Sequence, residues 1–353
     1  MRLAVLVACL LLVASCAQDT SPRPSPPESL SQVAVAGDDL LLDGRPWWPT
    51  GMNAYQLATD WSLNEGCGAQ VDLDDFFASL PPNSLTRFDA FQSHAIHRDT
   101  GTVDFTAIDA VFDAAARHNQ LVVPVLAPQD SDCDAGGYKQ RDWYVDGWRQ
   151  VQDGHSLSYE DWLTKSVERW RDSPALAMWE LLGEPEAAMC PDGDCSLERR
   201  QCPPDAAIIL RRWTDEAGRI VRDNDRDHPI TLGTIGGNQC GTAGDGFVIV
   251  VGSPSVDVAQ YHDYDDGRFL ALRLAETDKP MLVGEVGIEA GSCRTLDERA
   301  DIVDERLTHY RELGTAGALM WAYVPDPRPT DCSFDIGPDD PLRQVLARHT
   351  TPG

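Results

Sequence analysis

Two glutamates in this sequence each close an apolar run. Glu184 ends the segment Ser173–Pro185, and Glu285 ends Lys279–Glu285 just before Val286-Gly287. Alone, either could be a solvated loop carboxylate. As a pair they match what a glycosidic bond needs: one carboxyl to protonate the leaving oxygen, one to attack or to activate water. On this reading Glu184 is the acid/base, its carboxyl raised by partial burial and by Glu285, while Glu285 is the nucleophile and stays ionised. Arg87 would hold Glu285 charged through a charge-assisted hydrogen bond. Its competing use is a buried pair with Glu180, because Glu180, Leu182 and Glu184 share one face of a strand. His262 and Tyr264 also share a face; Tyr264 would donate to Glu285, and His262 would contact sugar or carboxylate. Trp321 is the expected platform under the cleaved sugar. Trp47, Trp48, Trp61, Trp143 and Trp148 are candidates for the cleft rim.

These residues need a scaffold that brings distant segments to one mouth. Short apolar runs occur at 50–55, 84–90, 121–126, 175–182, 230–234, 256–261, 281–286 and 318–323. Helical patterns lie between them. Phe105, Ile108, Phe112 and Ala115 form one stripe, and Val303, Leu307 and Tyr310 another within 296–313. Further helices are expected at 159–171, 205–223 and 269–277. Eight strand–helix units in roughly 300 residues predict an α/β fold of the (β/α)₈ barrel type. A doubly wound sheet is the alternative, but Gly51-Met52-Asn53-Ala54 is no phosphate-binding loop. Residues 33–47 read as a hairpin turning at Asp43-Gly44. Runs 4 and 7 stand on opposite sides of an eight-stranded ring, so their glutamates would face each other across its C-terminal mouth.

Composition narrows the function. The 353 residues carry 57 Asp+Glu against 29 Lys+Arg, a net charge of −28. No basic patch exists for nucleic acid, nor a basic helix for a membrane surface. No GxSxG is present, which argues against a Ser/His/Asp hydrolase. Residues 1–16 read as a signal peptide that ends in a lipobox-like Val13-Ala14-Ser15-Cys16, with Cys16 as the lipidated residue. Residues 17–32 read as a Ser/Pro-rich tether and 33–353 as the catalytic domain. The protein is thus expected outside the cell, on the outer face of a bacterial membrane through Cys16 or secreted, and monomeric. Eight cysteines remain after Cys9 and Cys16, an even number that suggests disulfides. Without a CxxC, zinc is disfavoured, and neither a metal nor another cofactor is expected. Neighbouring loops predict Cys293–Cys332, then Cys240 with one of Cys190, Cys195 or Cys202 and the other two together, leaving Cys67–Cys133.

The motifs resemble those of glycoside hydrolase family 5. Gly51-Met52-Asn53 resembles its first-strand motif and Thr86-Arg87-Phe88 its second-strand Arg motif. Trp179–Pro185 resembles its acid/base motif, Tyr261–Tyr264 its His-x-Tyr, Gly284–Gly287 its nucleophile motif and Met320-Trp321 its eighth-strand Trp. The segment 136–143 together with 173–185 is most similar to the endo-β-mannanases of that family. The resemblance spans about residues 33–335. It implies a retaining hydrolase with Glu184 and Glu285 as its two carboxyls, Arg87, His262, Tyr264 and Trp321 around the sugar, and a β-mannan-like polysaccharide or oligosaccharide as substrate. One position departs: the family's Asn before the acid/base, which binds the sugar's 2-hydroxyl, is Gly183 here. The family's His after the third strand has no counterpart in Ala127-Pro128-Gln129. Two further readings follow from that departure: a glycosidase for another sugar, such as an envelope furanoside, or a catalytically silent carbohydrate-binding lipoprotein.

Overall fold

The computed structural model describes residues 33–265 and 267–350. The leader, the tether and Cys16 lie outside the described residues.

Strands β1 (Val33–Ala36), β2 (Asp39–Leu42) and β3 (Arg45–Trp47) form an antiparallel sheet. The expected hairpin is therefore a three-stranded meander. Its extra turn uses Gly37 at φ 64°, beside the expected turn with Gly44 at φ 75°. Val33, Leu40 and Trp47 from this sheet pack with Leu85, Leu121 and Leu282. Leu85 and Leu121 open their barrel strands and Leu282 is second in its own, so the meander covers the N-terminal end and leaves the other end free for chemistry.

The barrel elements then follow in alternation: β4 (Thr50–Asn53), α1 (Leu73–Ala78), β5 (Leu85–Asp89), α2 (Thr106–Arg117), β6 (Leu121–Val125), α3 (Arg141–Val145), α4 (Tyr159–Trp170), β7 (Trp179–Gly183) and α5 (Ala206–Asn224). Next come β8 (Ile230–Gly233), α6 (Asp245–Val251), β9 (Ala259–Asp263), α7 (Leu270–Ala275), β10 (Met281–Gly287), the short β11 (Ala290–Gly291), α8 (Leu296–Leu313), β12 (Gly317–Trp321), the short β13 (Cys332–Ser333) and α9 (Leu342–His349). Eight parallel strands run in the order β8-β7-β6-β5-β4-β12-β10-β9. Between β8 and β9 the ring closes through the Thr231–Val258 bridge and the Thr231 and Thr234 hydroxyls, which donate to the carbonyls of Val258 (2.8 Å) and Gln260 (2.6 Å). This is the expected (β/α)₈ barrel. At Gly51 an added Cβ would lie 1.7 Å from the Leu85 carbonyl oxygen, so only glycine lets β4 meet β5 there.

Two strands begin three or more residues later than expected, while the others agree to within two residues at each end. The run 175–182 narrows to β7, Trp179–Gly183. Val122 and residues 175–177 still exchange backbone bonds of 2.8 and 2.9 Å, but Pro124 follows on β6 and has no N–H to continue the ladder. The run 256–261 becomes β9, Ala259–Asp263. Val256 still bonds back to Ser253 (3.2 Å), and pairing with β10 begins only at Ala259. That shift puts His262 inside the barrel. Helices α1, α3, α6 and α9 have no counterpart in the periodicity, because five to eight residues cannot display a repeated 3.6 spacing.

Candidate active site

Arg87 sits near the end of β5 with 4% exposure and organises the mouth. Its Nε and Nη2 donate to the two oxygens of Glu180 (2.8 and 2.7 Å). Its Nη1 donates to Glu285 Oε1 (2.7 Å) and to Asn53 Oδ1 (2.9 Å). Both uses weighed for Arg87 therefore occur at once. Burial opposes its charge, but Glu180 and Glu285 more than offset that, and it stays a permanent cation. Asn53 in turn donates to the Gly284 carbonyl (2.9 Å), so β4 braces the strand that carries Glu285.

Glu184 follows β7 directly. Its φ of 57° lies in the left-handed region, which a non-glycine residue enters at a cost. Its N–H donates to the Gly233 carbonyl (2.7 Å), and Gln239 Nε2 donates to its own carbonyl (3.1 Å), which holds the turn. A register shift also lies between Glu180 and Gly183, so Glu184 does not simply continue the Glu180 face as alternation predicted. The turn lifts the Glu184 side chain, 36% exposed, over the mouth.

The hydrogens of His262 can be placed by donor counting. Gln260, fully buried on β9, donates its Nε2 to Glu180 Oε2 (2.7 Å). Glu180, paired with the Arg87 cation, only accepts. The other amide atom, Gln260 Oε1, therefore faces His262 Nε2 (3.3 Å), and that nitrogen must carry hydrogen. His262 Nδ1 lies 2.7 Å from Glu184 Oε1, and one proton is shared between them. Burial would push the imidazole down, yet the carboxylates of Glu285 and Glu184 hold it above its ordinary value. A pH consequence follows. If loss of this proton sets the alkaline limb of kcat/KM, Gln260→Leu should move that limb about one unit lower, since a hydrogen bond to the imidazolium is gone. A lowered activity with an unmoved limb would instead mean that Gln260 only packs.

Glu285 is 4% exposed, and Tyr264 donates its hydroxyl to Glu285 Oε2. Burial pushes the Glu285 carboxyl up, against the pull of His262, Arg87 and the Tyr264 hydroxyl. Burial and Glu285 likewise push the Tyr264 phenol up, so it remains a donor. One oxygen of Glu184, one of Glu285 and a ring nitrogen of His262 lie within 4.8 Å of one another. The structure thus gathers Glu184, Glu285, Arg87, His262 and Tyr264 into one hydrogen-bonded group.

Arg87, Glu184, Tyr264 and Glu285 of that group line a cleft of about 860 Å³, and His262 is buried beside them. Trp321 lines it and stacks on Tyr55 at 5.9 Å and 16° between planes. The other rim tryptophans are not found there. Trp47, Trp143 and Trp148 are buried core, Trp48 bonds to the Thr315 carbonyl (2.8 Å), and Trp61 is exposed outside the cleft lining. Four disulfides join as expected: Cys67–Cys133, Cys190–Cys195, Cys202–Cys240 and Cys293–Cys332. Cys67, Cys133 and Cys332 line the cleft itself, so cross-links fix its rim. Sequence reading assigned no part to Gln260 or Asn53, although Gln260 precedes His262 by two and so shares its inward face.

Gly183 has a structural reason. A Cβ there would sit 3.2 Å from Arg87 Nη2 and 3.5 Å from Val125 Cγ1. Arg87 is locked by four bonds and has little room to yield. We expect Gly183→Asn to lower kcat/KM by roughly tenfold to a hundredfold through displaced Arg87. A rise in kcat/KM on a mannoside would show instead that the added amide restores a missing sugar contact.

No family model matches the chain. It is 27% identical over 273 residues to the "Probable mannan endo-1,4-beta-mannosidase C" of Aspergillus terreus, covering 66% of this chain and 64% of that one. The chain thus spans just under two thirds of the length of that relative. The endo-1,4-beta-mannanase of Rhizomucor miehei superposes with a TM-score of 0.68 at 18% identity, over 91% of this chain and 98% of that one. A glycoside hydrolase family 5 mannosidase from Rhizomucor miehei gives 0.64 at 13% identity, over 91% and 97%. At these identities the superpositions speak for the barrel alone.

Proposed function

We propose that this chain, which resembles the family 5 mannanases in sequence and in fold, is a retaining O-glycosidase acting on a β-mannan-like glycan. The observation that carries the reading is the spacing of the two carboxyls. One oxygen of Glu184 lies within 4.8 Å of one of Glu285, which favours the closer spacing of a retaining pair, roughly 5–5.5 Å between carboxyls, over the roughly 6.5–9.5 Å that admits a water for inversion.

In the first half-reaction a Glu285 oxygen attacks the anomeric carbon. The bond to the leaving oxygen breaks as the proton held by Glu184 and His262 passes to it. Arg87 and Tyr264 orient Glu285, and Trp321 carries the sugar face. In the second, water gives its proton back to Glu184 and its oxygen replaces Glu285 on the anomeric carbon. The sugar leaves with its original configuration and the enzyme is restored. Export is supported by four disulfides, which suit an oxidising compartment, and the lipid anchor at Cys16 rests on the lipobox-like sequence alone. We take the working form as a monomer.

Gly183 favours one alternative, a barrel tuned to a different sugar. Release of reducing ends from β-1,4-mannan, glucomannan, cellulose and a furanoside panel separates the readings. Mannan hydrolysis supports the proposal, and hydrolysis of the furanosides alone supports the alternative. No turnover on any glycan, together with retained binding, leaves the silent lipoprotein.

A further inference from the structure

Asp89 ends β5, two residues beyond Arg87 and on the same inward face. It is 8% exposed and lines the cleft. Among the described residues its carboxyl makes no hydrogen bond and no ion pair, and its oxygens open to the cleft rather than being sealed in the core. Arg87 does not bond to it: four of its five N–H groups bind Glu180, Glu285 and Asn53. Burial pushes the Asp89 carboxyl well up, and Glu285 and Glu180 add to this against Arg87. A protonated carboxyl both donates and accepts, which is the pattern a sugar hydroxyl matches.

The site also explains where that hydroxyl would be. Asp89 is the register partner of Val125, and Val125 Cγ1 lies 3.5 Å from the Cβ position that Gly183 leaves empty. Asp89 and Gly183 therefore flank one residue on adjacent strand ends of the cleft floor. Resting on the glycosidase reading above, we propose that Asp89 is a specificity-determining contact for the sugar in the cleaved position. Its carboxyl binds a ring hydroxyl of a neutral sugar on the side where residue 183 offers no side chain.

The test uses Asp89→Ala and Asp89→Asn with an aryl β-mannobioside and its 2-deoxy and 3-deoxy forms at the cleaved sugar. Asp89→Ala should lose about tenfold to a hundredfold in kcat/KM on the intact substrate. On one of the two deoxy substrates it should match the wild type, because the contact is already gone. Asp89→Asn, which also donates and accepts, should keep most of the activity. Thermal midpoints of both variants without sugar should stay level, since the carboxyl bonds to no other group of the protein. Equal losses on both deoxy substrates, no loss at all, a lowered midpoint in both variants, or Asp89→Asn as poor as Asp89→Ala would each overturn the proposal. The last of these would mean that an ionised carboxylate is needed, as for a cationic sugar. If the wild type turns over no glycoside, the underlying reading fails separately. Mannotetraose affinity by calorimetry then decides, and equal affinity of wild type and Asp89→Ala overturns the contact.

Discussion

Glu285→Ala should lower kcat by roughly 10⁵-fold or more, because the attacking group is gone and no neighbour can replace it. Arg87 and Tyr264 are donors, and Glu184 is bound to His262. The small space left by the side chain then provides a sharper readout. A small anion such as azide, added with an aryl glycoside, should enter from the nucleophile's side and restore turnover. Its product should be a glycosyl azide of inverted configuration, since one displacement replaces two. Turnover of Glu285→Ala near the wild-type rate without azide would remove Glu285 from the role of nucleophile.

Arg87→Leu should cost stability and activity together. It strips the cation from Glu180, which is fully buried, and from Glu285. Breaking a buried pair in this way costs about 3–5 kcal/mol. Denaturant unfolding measures that loss. Arg87→Lys keeps a charge but cannot bridge two carboxylates bidentately. The sign for pH follows from Glu285: its carboxyl is already pushed up by burial and pulled down by His262 and Arg87. A weaker cation lets it rise further, and attack needs the ionised form. The acid limb of kcat/KM in Arg87→Lys should therefore move to higher pH, with activity lost as pH falls through it. An unmoved acid limb would mean that Arg87 serves Glu180 alone.

The carboxyl pair was legible because each glutamate closes an apolar strand, and period-2 alternation places strand-end residues by counting. The barrel was legible for the same reason, and its strand order made the neighbouring loops, hence the disulfides, predictable. What lay beyond reach were polar residues inside the barrel. Gln260 looks like solvated alternation in sequence and Asn53 stands there only as part of a motif, and only the neighbours across the ring show them bonded to Glu180 and Gly284. The tryptophans failed in the opposite direction. A Trp near a strand or loop says nothing of which side it packs on, and Trp47, Trp143 and Trp148 went to the core. The shortened β7 shows a third limit: the residue that breaks it, Pro124, is on another strand. Gly183 was visible as a departure, but its crowding against Arg87 was not.

Double displacement at Glu184 and Glu285 fixes the configuration of the first product. Proton NMR during hydrolysis of an aryl β-mannobioside, faster than mutarotation, follows the anomeric signal. The spacing of the two carboxyls predicts that the β-anomer accumulates first and the α-anomer appears only later by mutarotation. Initial release of the α-anomer would contradict it, because a single displacement by water would then be the mechanism.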